Sequence, residues 1–227
     1  MSKKRGKLIV FEGADGTGKT TQAKLLLSHL RKKKIPSVYI SFPRYERPWG
    51  KMVRRYLLGD FGKVGGVDPY LASILYAGDR AQAAHEMRGW ISQGKIIVCN
   101  RYVGSNIGHM AAKIKNQKSL VSQRKAKIKY IEWLEDLEYR ENGIPKEDLV
   151  ILLQVDPIVS RRMMKDRKLD IHEKDLEYLQ EVCRVYDYVA EHKKNWVQVN
   201  CTKGGEILGV EEIHQKVLEI LKRRNIL

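Results

Sequence analysis

Cysteine is scarce in this chain: there are three in 227 residues (Cys99, Cys183 and Cys201), an odd number with no close pair. That excludes a disulfide framework or a zinc knuckle and fits a reducing cytoplasm. Long apolar runs are missing too. No stretch approaches the roughly 20 residues that span a bilayer, and the opening MSKKRGKLIVFEG turns straight into a strand and glycine loop, without the apolar core of a cleaved leader. Membrane insertion and secretion are not expected. With only 3 Phe, 6 Pro and 18 Gly, the low-complexity and fibrous classes fall away. Acid is short as well: 27 Asp and Glu against 43 Lys and Arg leave a formal charge of +16, which favours an anionic ligand.

At 43% apolar and 31% charged the composition is that of a soluble globular protein, and the length suits one α/β domain over 1–227. Strand and helix patterns alternate. Apolar runs at 7–13, 35–43, 95–100, 148–155 and 195–200 read as strands. Helical periodicity falls at 17–33, 49–59, 68–93, 103–115, 122–141, 173–193 and 209–224, with Asp68-Pro69 and Asp156-Pro157 as helix starts and Asn142-Gly143 as a stop. The predicted architecture is α/β, a doubly wound sheet of five mostly parallel strands with helices on both faces. The basic excess concentrates in RKKK (31–34), at a helix end where it complements the dipole, and in Lys113–Lys129, which contains no acid. That stretch also has no aromatic residue, so a stacking groove for nucleic acid is not expected there.

Gly13-Ala14-Asp15-Gly16-Thr17-Gly18-Lys19-Thr20 matches G-x-x-x-x-G-K-[ST] and stands between a buried strand and a helix, the frame this motif needs. The glycines let successive N–H groups face an anion and the helix N-terminus adds positive potential. Lys19 then reaches the outer phosphates, Thr20 offers a hydroxyl to Mg²⁺, and Thr21 follows in the first turn. Gly13, Asp15, Gly16, Thr17, Gly18, Lys19, Thr20 and Thr21 are thus the expected ATP-binding residues. Other polar clusters fall at strand ends: Phe42-Pro43-Arg44-Tyr45 after the second strand, and Asn100-Arg101-Tyr102 with Ser105 and Asn106 after the third. Ligands of doubly wound sheets bind outside the carboxyl ends of the strands. Two arginines beside a triphosphate site therefore suggest a second phosphorylated ligand.

These blocks, with LYAGDRA (75–81), IEWLEDLE (131–138), GIPKEDLVI (143–151) and DIHEKD (170–175), resemble the thymidylate kinase family from Leu8 to about residue 190. The resemblance implies a five-stranded P-loop kinase fold with a mobile lid, here about 161–172. It implies transfer of the γ-phosphoryl of ATP to dTMP with Mg²⁺, in a cytoplasmic homodimer. By similarity Arg44 and Arg101 hold the dTMP phosphate, Arg80 contacts the base or phosphate, and Tyr76, one turn earlier on the same helix face, stacks on thymine. Phe42 and Pro43 belong to the substrate site, and Asp15 bonds the 3′-hydroxyl near the metal. Ser105, Asn106 and His109 border base and sugar. Arg162 and Arg167 of the basic lid supply cations to the transferring group, and Asp170 and Glu173 face the sugar and metal region.

Three features depart from the family pattern. Asn100 stands where Asp is common, so it can be neither anion nor base. Gly16 occupies the place where some members carry an arginine, which shifts that duty to the lid. His109 replaces a frequent aromatic. Kinases of other deoxynucleoside monophosphates, and a nucleotide-dependent nucleic-acid-binding protein using the basic surface, are the alternative readings.

Overall fold

Strand β1 (Lys7–Glu12) buries five of its six residues without alternation, because both of its faces are covered by helices. In the computed structural model, which describes residues 5–62, 66–114, 119–156, 158–160 and 176–227, β1 is the central strand of a five-stranded sheet. Its companions are β2 (Ser37–Ser41), β3 (Ile96–Asn100), β4 (Leu149–Gln154) and β5 (Trp196–Asn200), in the order β2-β3-β1-β4-β5. Every pairing in this sheet is parallel, so all strand C-termini open at one end. Phe11 lies opposite Asn100 in the β1–β3 register, which places the segment after β1 beside the segment after β3.

Alternate residues of each strand feed two cores. On one face Ile9, Phe11, Val98 and Ile151 pack with Ala23, Leu26 and Leu30 of α1 (Lys19–Lys32) and with Ile213, Val217 and Leu221 of α7 (Val210–Arg223). On the other face Leu8, Val10, Ile97 and Val150 meet four more helices. These are α3 (Pro69–Ser92) through Ala83 and Met87, α4 (Val103–Ala111) through Ile107, α5 (Leu120–Glu135) through Leu134, and α6 (Leu176–His192) through Val182 and Tyr186. Each fully buried aliphatic side chain contributes about 1.5–3 kcal/mol relative to exposure. Helix α2 (Pro48–Leu58) adds Val53 and Tyr56 to the buried set.

Local chemistry accounts for the boundaries. Asp68 caps α3 by accepting from the N–H groups of Tyr70 and Leu71, with Pro69 in the first turn. Asp156 makes a similar bond to the N–H of Ile158, 2.7 Å away. Helix α5 starts at Leu120, two residues before its sequence pattern does, because Ser119 caps it through the N–H of Ser122. Its continuation is not uniform: beyond Glu135 the chain widens into a π-helical turn, Asp136–Glu141. Helix α4 ends at Ala111, short of the predicted residue 115. A two-stranded hairpin, β6 (Thr202–Lys203) and β7 (Glu206–Ile207), was not predicted, although Gly204 and Gly205 form its turn with positive φ.

Candidate active site

The phosphate-binding loop leaves the C-terminal end of β1 with φ of 141° at Gly13, 77° at Gly16 and 82° at Gly18. A Cβ on Gly13 would also lie 2.5 Å from the carbonyl oxygen of Leu153, so the first glycine is required by conformation and by space. Gly18 caps α1 without a side-chain acceptor, and the first turn carries no acid. The dipole end and N–H groups of α1 are thereby directed at the loop. Lys19 is buried, and its ammonium donates to the carbonyl of Ala14 and lies 3.4 Å from Thr17 Oγ1. Thr17 donates to the same carbonyl, at 2.9 Å. A second hollow borders the loop on the β4–β5 side, with Thr17, Asp156 and Asn200 among its walls.

Directly beside this loop, Arg101 adopts a left-handed conformation (φ 64°) that a side-chain-bearing residue holds at a cost of about 1–3 kcal/mol. Its N–H donates to the Phe11 carbonyl at 3.0 Å, and its guanidinium ion-pairs with Asp15 and reaches Ser105 Oγ at 3.3 Å. Burial opposes the Arg101 charge, but Asp15 outweighs it and holds the side chain cationic well beyond its ordinary range. The buried carboxylate of Glu12 fixes the strained turn. Its Oε1 accepts the N–H groups of Tyr102 (2.7 Å) and Ser105 (2.9 Å), while Oε2 accepts from the Ser105 hydroxyl (2.6 Å) and the Tyr186 hydroxyl (3.3 Å). On the last residue of β3, Asn100 donates its amide to the hydroxyls of Thr20 (3.1 Å) and Ser41 (3.2 Å). Its Oδ1 is buried with no hydrogen-bond partner among the described residues.

From Asp15 and Arg101 a cavity of about 140 Å³ runs between α2, α3 and α4. Tyr76 and Arg80 of α3 both line it, as their spacing of four predicts. The Tyr76 ring stands edge-on to Tyr56 at 6.2 Å, and burial pushes the Tyr56 phenol up to about 12. Phe42 and Pro43 also line it, as do Ser105, Asn106 and His109. The Asn106 amide donates to the Ser73 carbonyl at 3.2 Å, leaving Oδ1 buried with no partner among the described residues. The His109 ring pairs through Nδ1 with Tyr178, whose hydroxyl donates to the His109 carbonyl. Arg80 is itself almost completely buried and ion-paired with Glu138.

Nine of the predicted residues thus converge: Asp15, Phe42, Pro43, Tyr76, Arg80, Arg101, Ser105, Asn106 and His109. Arg44 is not among the cavity's walls. It is turned onto Asp79, with its N–H 2.7 Å from Oδ2 and its Nε 3.0 Å from Oδ1. Arg162, Arg167, Asp170 and Glu173 lie outside the described residues. Sequence reasoning missed Glu12, Leu57, Met110 and Tyr178. Glu12 could have been found: it is an acid that closes the apolar run Leu8–Phe11, next to the phosphate loop.

A family model described as thymidylate kinase matches residues 11–217. The thymidylate kinase of Plasmodium falciparum is 25% identical over 217 residues, covering 96% of this chain and 90% of its own. A probable thymidylate kinase of Thermococcus onnurineus is 30% identical, with 95% of this chain and 99% of its own covered. The solved thymidylate kinase from Candida albicans superposes with a TM-score of 0.76 at 26% identity, over 97% of this chain and 93% of that one.

Proposed function

The chain belongs to the thymidylate kinase family, whose reaction moves the γ-phosphoryl group of ATP to dTMP, and on that premise we propose that dTMP occupies the cavity beyond Arg101 while ATP lies along the phosphate loop. The observation that carries this assignment is Arg101 itself, a cation held in a strained conformation at the seam between loop and cavity. Strain of this kind persists where a function needs the geometry. Phosphoryl transfer asks for alignment and for cations against the charge of the transferring oxygens, more than for covalent help.

In this reading Arg101 binds the acceptor phosphate, and Lys19 neutralises charge growing between the outer phosphates of ATP. Asp15 takes the sugar 3′-hydroxyl, and Ser105 and His109 border the sugar. Tyr76 stacks on the base. Asn106 Oδ1 and the N–H groups of Arg80 read its edge. Arg44, braced by Asp79, supports the phosphate end of the cavity, and Arg162 and Arg167 act from a lid over about 161–172 within a single domain. Mg²⁺ fits the oxygens present: Asn100 Oδ1 is a buried acceptor with no donor among the described residues, and Thr20 adjoins the same amide. Thr20 and Asp15, with Asn100, would hold it beside the phosphates, where it supplies charge to the transferring oxygens. The acceptor phosphate is already ionised near neutrality, so no residue need act as a base.

Leu58, Leu71, Ile74 and Trp49 stand exposed on α2 and α3, an apolar face that supports a homodimer through these helices. Free thiols at Cys99, Cys183 and Cys201 support a cytoplasmic setting. No described helix is long and apolar enough to cross a membrane.

The test is a coupled assay with ATP and Mg²⁺ against each nucleoside monophosphate, with Lys19→Ala as the control variant. dTMP should be the best acceptor, and Lys19→Ala should lower turnover by orders of magnitude while the fold persists. A Lys19→Ala protein with near-normal turnover, or a preference for dCMP or dGMP, overturns the assignment.

A further inference from the structure

The partner of Arg80 is supplied by the one irregular turn described in the α5 region. Helix α5 is α-helical to Glu135, after which Asp136–Glu141 is π-helical. Glu138 lies within this turn, four residues after the buried Leu134 and seven after the buried Ile131, and is itself fully buried on the guanidinium of Arg80. π-Turns inside helices occur frequently at functional sites.

The bonding is one-sided. Glu138 Oε1 accepts from both Nε (2.9 Å) and Nη2 of Arg80, while Oε2 has no hydrogen-bond partner among the described residues. The Tyr102 carbonyl accepts from Nη1 at 3.2 Å. Three of the five guanidinium N–H groups are therefore committed to atoms that cannot follow a ligand, and the remaining two are fixed in direction. Arg80 is also a wall of the substrate cavity. A buried ion pair is weak as a stabilising device, since desolvation offsets most of its attraction. Its use here lies in placing Arg80.

We propose that Glu138 is a positioning residue for base selection: it holds Arg80 so that the remaining N–H groups meet a ring carbonyl of the acceptor base and repel an amino group. The proposal rests on the reading that the cavity takes the base of the monophosphate. Thymine and uracil offer a carbonyl at the edge where cytosine carries an amino group, so Glu138 acts on the choice between dTMP and dCMP without touching either. A rigid donor rejects the wrong edge because its own N–H groups are then left unpaired.

The experiment is steady-state kinetics of Glu138→Gln and Glu138→Asp with dTMP and dCMP, alongside thermal melting. Both variants should raise the KM for dTMP about tenfold and lower the dTMP to dCMP ratio of kcat/KM by a similar factor, the scale of one hydrogen bond to a charged group. The KM for ATP should stay within about twofold, because the phosphate loop is untouched. In an Arg80→Ala background, Glu138→Gln should leave the ratio unchanged. If Glu138→Gln fails to fold, the shortened carboxylate of Glu138→Asp reads the same ratio in a folded protein. Variants that melt earlier yet keep the dTMP KM and the ratio overturn the proposal, as does a ratio that falls equally with and without Arg80. A wild-type protein that phosphorylates no pyrimidine monophosphate refutes the underlying reading instead.

Discussion

Replacing Glu12 with Ala removes the acceptor of four donors, and the cost can be worked from each. The N–H of Tyr102 loses its partner in a buried position and that of Ser105 in a partly buried one. Donors left unsatisfied in such positions cost about 1–3 kcal/mol each, or about 2–6 kcal/mol together, with Ser105 toward the low end. The Ser105 and Tyr186 hydroxyls can turn elsewhere and add little. At about 2–4 °C per kcal/mol for a chain of this size, the melting temperature should fall by roughly 4–24 °C. Activity should fall further than stability explains. Once the turn is no longer clamped, Arg101 can relax out of its positive φ, and regaining it costs about 1–3 kcal/mol, a factor of roughly 5–150 in kcat/KM for dTMP. Glu12→Gln keeps an oxygen for the two N–H groups and an amide for the two hydroxyls, so it should lose less than half as much in both readouts. Melting by calorimetry and coupled kinetics on the three proteins decide the matter. An alanine variant with wild-type melting, or a glutamine variant as damaged as the alanine one, refutes the clamp.

Two further outcomes follow from the same structure. Asn100→Asp exchanges an amide donor for an acceptor that the Thr20 and Ser41 hydroxyls can satisfy by turning, so melting should hardly change; the added charge should lower the Mg²⁺ concentration for half-maximal turnover, and an unchanged Mg²⁺ titration would make the position a bystander. Glu147 is pushed up to about 7 by burial, despite the Tyr139 hydroxyl it accepts. Its folded value lies above its unfolded one, so the folded protein holds the extra proton and stability falls as pH rises from about 4.5 through about 7. Glu147→Gln should accordingly raise the melting temperature at pH 8 and lose that advantage toward pH 5; an advantage of the same size at both would show that this carboxyl does not titrate on unfolding.

The strands and most helix starts were legible because their signals are local: unbroken apolar runs, Asp-Pro caps, glycines where φ is positive. The phosphate loop was legible for the same reason. The base cavity was legible in part. Tyr76 and Arg80 lie four apart on one helix, so periodicity alone pairs them, but Tyr178 arrives from a helix a hundred residues later and has no sequence mark of its own. Glu138 lies four residues after Leu134 and seven after Ile131, on the buried side that helical spacing assigns, but nothing in the sequence reveals that its partner is Arg80, 58 residues earlier. The hairpin at 202–207 has strands of two residues, too short for any periodicity to register. Arg44 was placed correctly at a strand end, yet nothing in the sequence reveals that Asp79 takes its guanidinium.

The pairing of Phe11 with Asn100, closed by the Arg101 N–H on the Phe11 carbonyl, works as a ruler. A slip of one residue along a strand is about 3.3 Å, as large as the whole separation of two groups poised to react. The span between the phosphate loop after β1 and Arg101 after β3 is therefore set by backbone register in the best-buried part of the molecule. Most walls of the cavity beyond Arg101, Tyr76, Arg80, Asn106, His109 and Tyr178 among them, come from helices, whose side chains can be exchanged without moving that register. Selection, natural or in the laboratory, can then rewrite which base is admitted while leaving the alignment of the phosphates untouched.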